Sequence, residues 1–181
     1  MSDIAASRKG SCLCGAIQLT IRGKPVETHL CHCTSCQKLT GSVFAAFVTL
    51  KDEQLQIAVG AGHELKTHVD SAGSESGNTL ERRFCGTCGS PILIRSKMLP
   101  NVTVVHLGLL EPYPMSEDGA AGTEGQQQTE DDGWKLTPSI EYWCVRKRSW
   151  VGDTGAEVVS QRQPQPGTEE FAKVMKMYGF A

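Results

Sequence analysis

The sequence contains no apolar run approaching membrane-spanning length, so no transmembrane helix is expected. The first ten residues, MSDIAASRKG, lack the apolar stretch of a signal peptide, which predicts a cytoplasmic protein in a reducing compartment. Basic surplus is absent too. Formal net charge is −2, and no lysine- and arginine-rich face is evident, which argues against nucleic acid as a partner. No internal repeat or heptad pattern appears. What remains is an ordinary globular composition over 181 residues, enough for one domain with its own core.

Cysteine is the exception to this plainness. Seven of the eight fall into three tight groups: Cys12-x-Cys14, Cys31-x-Cys33-x-x-Cys36, and Cys85-x-x-Cys88. In a reduced chain of this length such clusters point to metal rather than to a disulfide framework. A C-x-x-C turn with flanking glycines, here Gly86 and Gly89, directs two sulfurs at one ion and supplies half a tetrahedron. Cys12 and Cys14, at the mouth of a strand, are the natural other half. The triad Cys31, Cys33 and Cys36 can converge from one short loop and leave a fourth position open. A closed alternative would recruit His32, His29 or Cys144. His32 lies between two ligands, so its ring should turn away, and Cys144 reads more simply as a small buried residue. Zinc suits such small thiolate sites best, giving two Zn2+ per chain, one closed and structural and one at the triad, where an open site able to do chemistry stands beside the closed alternative and a metal-free thiol cluster.

The body reads as mainly β. Gly15–Ile21 alternates apolar and polar residues, and Val43–Leu50 is dense enough to be buried on both faces. Gln54–Val59 and Glu64–Val69 look like strands joined by the Gly60-Ala61-Gly62 turn. Thr79–Phe84 and Pro91–Ile94 flank the C-x-x-C as in a zinc-ribbon knuckle. Val102–Leu107 and Ile140–Val145 complete the expected sheet. Ser71–Asn78 reads as a loop, 111–133 as an acidic, glycine-rich insertion, and 161–167 as a Pro/Gln linker before a short amphipathic helix over Glu169–Tyr178. The expected layout is an N-terminal tail (1–9), a zinc-binding β domain (10–150) and a C-terminal extension (151–181).

Three stretches resemble the glutathione-dependent formaldehyde-activating enzyme (GFA) family, often grouped with the centromere protein V domain. They are G-S-C-L-C-G-A-I at 10–17, C-H-C-T-S-C-Q-K-L-T-G-S at 31–42 and R-F-C-G-T-C-G-S at 83–90. The resemblance implies a complex β-ribbon fold related to that of a small zinc-binding Rab exchange factor. It implies a structural zinc on Cys12, Cys14, Cys85 and Cys88 and a catalytic zinc on Cys31, Cys33 and Cys36. The implied activity is that of a carbon–sulfur lyase, joining glutathione and formaldehyde reversibly, so the partner is a small molecule. Relatives in fungal polyketide pathways imply an alternative, a zinc-dependent isomerase or epimerase of a small carbonyl metabolite. A third alternative is a non-catalytic zinc module that binds a protein.

Among other residues, Thr34, Ser35, Gln37 and Ser42 could donate hydrogen bonds near the triad or simply cap its loop. His29, His63, His68 and His106 read as surface or satisfied positions. Arg82, Arg83 and Arg95 match carboxylates in shape, but solvated strand faces are the simpler reading. Arg146, Lys147 and Arg148 form a short basic run that could take an anion. Trp134, Tyr142, Trp143 and Trp150 are expected to close the core or line a cleft.

Overall fold

A computed structural model describes residues 7–71, 77–111, 136–162, 164 and 167–178. The strands in chain order are β1 (Ser7–Ser11), β2 (Ile17–Arg22), β3 (Glu27–Cys31), β4 (Ala45–Lys51), β5 (Leu55–Val59) and β6 (Leu65–Asp70). They continue with β7 (Leu80–Cys85), β8 (Pro91–Ser96), β9 (Val102–His106), β10 (Ile140–Tyr142) and β11 (Val158–Val159). Two α-helices accompany them, α1 (Thr34–Thr40) and α2 (Glu169–Met177). The strands form a small sheet, β1-β2-β5, and a large one, β11-β10-β3-β4-β9-β8-β7-β6. The protein is mainly β, as expected. None of the described helices is long and apolar enough to cross a membrane.

Strand alternation decides where each side chain goes. In β2, Ile17, Leu19 and Ile21 are buried to within 1% while Gln18 faces out. These residues pack on Val48, Leu50, Ile92 and Val105, which all face the same side of the large sheet. Removing each such side chain from water contributes about 1.5–3 kcal/mol, so this interface is the main core. Ala45 and Phe47, of opposite parity in β4, point to the other side. There they join Ile94, Ile140, Tyr142 and Trp143 beneath α2, forming a second core that contains the sulfur triad. One buried central strand therefore serves two cores, which explains its continuous apolar character.

The sheets meet closely at Gly10. A Cβ there would lie 2.6 Å from the Leu109 carbonyl oxygen, so only glycine permits the approach. Strand β1 begins inside the stretch expected to be a tail, with Ser7–Lys9 paired to Arg22–Thr20.

Several elements differ from expectation. β5 and β6 do not share a sheet: β5 pairs with β2, β6 with β7. The turn between them crosses from one sheet to the other because each end is tied to a cysteine turn, Gly60 N–H to Ala16 and Gly86 N–H to the Glu64 carbonyl. β3 and α1 were not foreseen, since E-T-H-L-C carries no polar–apolar alternation and all its residues are buried. The strand expected over Ile140–Val145 stops at Tyr142. Trp143 takes a left-handed backbone (φ 61°), and a 3-10 turn, Cys144–Arg146, follows. The acidic segment lies almost wholly outside the described residues, as does the centre of the Ser71–Asn78 loop.

Candidate metal centres

Cys12 and Cys85 occupy equivalent places in two similar turns. Cys12 N–H bonds to the Ile17 carbonyl and Cys85 N–H to that of Ser90. Gly15 and Gly89 each return an N–H to the first cysteine's carbonyl from a left-handed conformation, φ 74° and 76°. The turns bring four sulfurs within 4.8 Å of one another. Cys12–Cys14 and Cys14–Cys85 separations are 3.5 and 3.8 Å. A tetrahedron with Zn–S of 2.3 Å has an edge of about 3.8 Å, so the spacing fits a zinc-sized ion. Supporting donors are in place: Ile17 N–H lies 3.2 Å from Cys12 Sγ, and the Ser90 hydroxyl 3.2 Å from Cys88 Sγ. The Ser90 hydroxyl pulls Cys88 down to about 5. Burial opposes ionisation of Cys12, yet the Ile17 amide and neighbouring thiols bring it below the ordinary thiol value. Cys14 has the Ala16 amide in its favour but is pushed up to about 12, chiefly by Cys12.

The triad is built differently. Cys31 ends β3, Cys33 is the N-cap of α1, and Cys36 is the third residue of that helix. N-cap and third positions lie side by side at a helix start. Accordingly the Cys36 N–H donates to Cys33 Sγ at 3.3 Å, and all three sulfurs lie within 4.8 Å. All three residues are buried. The Cys31 and Cys36 thiols draw Cys33 down to about 3. Cys31 is in turn raised well above the usual thiol value by Cys33 and Cys36. Cys36 is favoured by the Cys31 thiol but pushed up to about 12 by Cys33 and burial. With Cys33 lowered and its two neighbours raised, ionising all three thiols together calls for a positive partner such as a divalent ion. No fourth His, Cys, Asp or Glu among the described residues joins the three.

The alternative fourth ligands are held elsewhere. His32 is fully buried and directs Nε2 to Glu141 Oε1 at 2.7 Å. Lys147 Nζ sits 3.0 and 3.1 Å from the two Glu141 oxygens, and the Thr154 hydroxyl donates to one of them. His32, Glu141 and Cys144 lie close enough to form a donor set. The Lys147 ammonium already occupies both carboxylate oxygens, so this group is an ion-paired brace under the triad. Lys147, expected as a possible anion contact, is internally spent. Burial works against the Glu141 carboxylate, but His32 and Lys147 hold it below the usual range.

The triad lies in the wall of a cavity of about 240 Å3. Arg82 lines it, only 6% exposed, with Nε and Nη2 both 2.9 Å from Asp70 Oδ2. Its Nη1 is buried with no hydrogen-bond partner, and the Tyr142 hydroxyl on the same cavity is buried beside that of Tyr178. Arg82 is therefore a buried cation rather than the solvated residue expected, and its charge favours the Cys33 and Cys36 thiolates. Arg83 and Arg95 stay partly exposed and pair with Glu81 and Asp52. His29 also lines the cavity, with Nδ1 3.0 Å from Glu27 Oε1. The same Glu27 oxygen accepts from the Thr49 hydroxyl at 3.1 Å and the Tyr178 hydroxyl at 2.8 Å. Burial raises Glu27, but His29 first among these neighbours brings it below the usual carboxylate value. His106 is buried, and burial, then Arg82 and His29, lowers it to about 4. His63 and His68 are exposed.

The sequence pattern of the glutathione-dependent formaldehyde-activating enzyme family matches residues 7–145, which include all seven clustered cysteines. The chain belongs to that family. A Rhodobacter sphaeroides protein of known crystal structure is similar at 22% identity and a TM-score of 0.44, over 59% of this chain and 90% of that one. No curated protein matches.

Seen as a GFA-family chain, it holds site residues that its motifs do not mark. Glu27 and Tyr178 had no sequence signal, because their partnership spans 151 positions. Arg82 could have been suspected from its place three residues before Cys85. Of the four hydroxyl and amide candidates, Ser35 lines the cavity, while Gln37 donates to the His32 carbonyl at 2.7 Å. Ser42 bonds through its N–H to the Thr40 hydroxyl, a loop contact. Tyr142 and Trp143 line the cavity as expected, whereas Trp150 is 72% exposed.

Proposed function

We propose that the protein is a zinc-dependent carbon–sulfur lyase-type enzyme that makes or breaks a thiol–carbonyl adduct beside Cys31, Cys33 and Cys36. In this reading those three residues hold a catalytic zinc, and Cys12, Cys14, Cys85 and Cys88 hold a structural one, two ions per chain. The observation that carries it is the unequal sulfur count. Four sulfurs surround one centre, whereas three lie on a cavity wall with no fourth donor among the described residues. Zinc at such a three-sulfur centre would supply Lewis acidity and favour the thiolate form of an incoming thiol.

The chain's own groups account for the rest. The cavity walls can hold thiol and carbonyl together, and proximity is a large part of such a reaction's acceleration. Arg82 Nη1, which has no partner, and the Tyr142 hydroxyl on the same cavity are donors suited to an oxygen on which negative charge develops. In the forward direction the S–C bond forms as the carbonyl π bond opens. The proton lost by sulfur ends on oxygen, and no oxidant or reductant is needed. A second reading, isomerisation or epimerisation of a small carbonyl compound, is favoured by His29. Its ring lines the same cavity and is oriented by the Glu27 carboxylate, as a proton-moving group requires.

The test is elemental analysis with exchange spectroscopy. Wild type should carry two zinc ions and accelerate thiol–formaldehyde exchange. Cys33→Ala should carry one and lose the acceleration. A fully folded protein with one zinc in both forms, or unchanged exchange in Cys33→Ala, overturns the proposal.

A further inference from the structure

The family match ends at residue 145, yet one wall of the cavity comes from beyond it. Pro164, Phe171, Val174, Met175 and Tyr178 line the cavity together with the triad. α2 is held in place at both ends. Thr168 caps its start, accepting from Phe171 N–H at 3.1 Å, and the buried Ser160 hydroxyl lies 3.1 Å from Glu170. At the other end the Tyr178 hydroxyl is bonded to the buried Glu27 carboxylate. The wall is thus a fixed part of the site, with Val174 and Tyr178 less than a tenth exposed.

Phe47, Leu80, Ile94, Leu99, Val102 and Val104 add apolar lining from the sheet and its turn, interrupted by the neutral polar side chains of Ser35, Asn78 and Ser96 and by His29 and Arg82. Among the described lining residues Arg82 alone is permanently charged, and Asp70 already neutralises it. Glutathione carries a carboxylate at each end and an ammonium group. Placing these in such a space leaves charges without partners, which is strongly unfavourable. The volume, about 240 Å3, also falls below the usual ~300–1,000 Å3 of ligand pockets and suits a compact molecule. Arg82 Nη1, a buried donor without a partner, calls for acceptor oxygen in whatever occupies the cavity, and the buried Tyr142 hydroxyl lies beside that of Tyr178 on the same lining.

We infer that the C-terminal wall selects a neutral, compact aromatic or alkyl carbonyl compound, whose oxygen meets Arg82 and Tyr142, and excludes a charged peptide thiol. This rests on the triad cavity being the reacting site. It assigns the choice of substrate to residues beyond the family match, while the sulfur chemistry stays within it.

The test uses the full zinc-loaded chain and 2-acetylnaphthalene, an uncharged and unreactive ketone, with glutathione as comparison. Binding is read by titration calorimetry and by NMR of the Met175 methyl group. The ketone should bind saturably, shift the Met175 signal, and bind at least about tenfold tighter than glutathione, the scale that separates a buried apolar fit from an unpaired charge. Val174→Trp, which fills the cavity, should weaken the ketone about tenfold or more. Should that variant not fold, Phe171→Ala, at a half-buried position, should weaken it several-fold by removing contact area. Glutathione binding as tightly as the ketone, or ketone binding unchanged in the folded variants, overturns the inference. Zinc content and formaldehyde exchange report on the lyase proposal separately. Ketone binding with no exchange sinks that proposal alone; exchange with glutathione and no ketone binding sinks this inference alone.

Discussion

The two sulfur clusters assemble the same kind of side chain in different ways. In the four-sulfur cluster, Cys14 and Cys85 lie 71 residues apart in sequence, and the turns that carry them belong to different sheets. The three-sulfur cluster comes from one hexapeptide. By analogy with covalent cross-links, closing about 70 residues constrains the unfolded chain by about 4 kcal/mol, and closing six by about 2. Exposure runs against intuition. Cys14 is exposed and Cys88 half-buried, whereas all three triad cysteines are buried. An ion among four sulfurs presents only sulfur to solvent, so an exposed ligand does not make an accessible metal. Accessibility depends on donor count and on what lies beside the donors, here a cavity. A cluster can sit at the surface and be structural, or lie in the interior and be reactive.

Cysteine replacement separates the two most sharply. Cys85 is fully buried in the main core as well as spanning the sheets. Cys85→Ala should leave the protein unfolded or lower its stability by at least about 5 kcal/mol, given that structural zinc contributes about 10–16 kcal/mol to small domains that depend on it. Cys33→Ala removes one donor and a helix N-cap, a loss of about 1 kcal/mol for the cap, and should stay folded. Thermal melts followed by circular dichroism make the comparison. Equal losses for the two variants would mean that both clusters are structural.

Much of this division is legible in the sequence, because ligand identity and spacing are local. C-x-C and C-x-x-C turns with glycine at the left-handed positions announce themselves, and strand alternation places Ile17, Leu19 and Ile21. What surrounds the triad is another matter. Glu27, Asp70, Arg82 and Tyr178 meet only after β3, β6 and β7 have joined one sheet and α2 has folded over it. Their pairing is a property of topology, not of any window. Strand β3 escaped because burial on both faces erases periodicity. α1 escaped because its seven residues start within the cysteine motif. The β5–β6 link was misjudged as a simple turn because glycine marks a bend without saying which sheet each arm joins.

The brace below the triad offers a smaller contrast. Glu141 is ion-paired to Lys147 and bonded to His32, while the four-sulfur cluster rests on backbone and Ser90 donors alone. Glu141→Ala should lower stability by about 3 kcal/mol, since it strands a buried histidine and a lysine. The carboxylate's folded value lies below its unfolded one, so its contribution is complete above the unfolded value, about pH 4.3. It is lost as pH falls through the lower, folded value. Acid melts of wild type should therefore steepen below about pH 4, and those of Glu141→Ala should be flatter there. Parallel acid profiles would remove this brace from the account.

Tyr178→Phe probes the wall with less force. It deletes one hydrogen bond to a buried carboxylate, a loss of about 1.5–3 kcal/mol, and leaves the ring in place. Hydrogen exchange in α2 should rise, while zinc content at both clusters should hold. Loss of a zinc ion in this variant would show that helix and triad form one folding unit rather than a scaffold with an added wall.

The smallest effect compares two glycines. Gly89 follows Cys88 in the four-sulfur turn, and Gly41 ends α1 behind the triad, with φ 76° and 64°. A Cβ at either would meet nothing within 4 Å, so alanine would introduce backbone strain and no clash. Each substitution should lower stability by about 1–2 kcal/mol. Their effects on metal should diverge. The Gly89 N–H holds the turn that aims Cys85 and Cys88, so Gly89→Ala should speed zinc loss to a chelator from the four-sulfur cluster. Gly41 lies a full helix length from Cys33, so Gly41→Ala should leave release from the triad unchanged. If both variants released zinc alike, the two clusters would be coupled through the sheet, and the distinction between a locked ion and an accessible one would have to rest on the cavity alone.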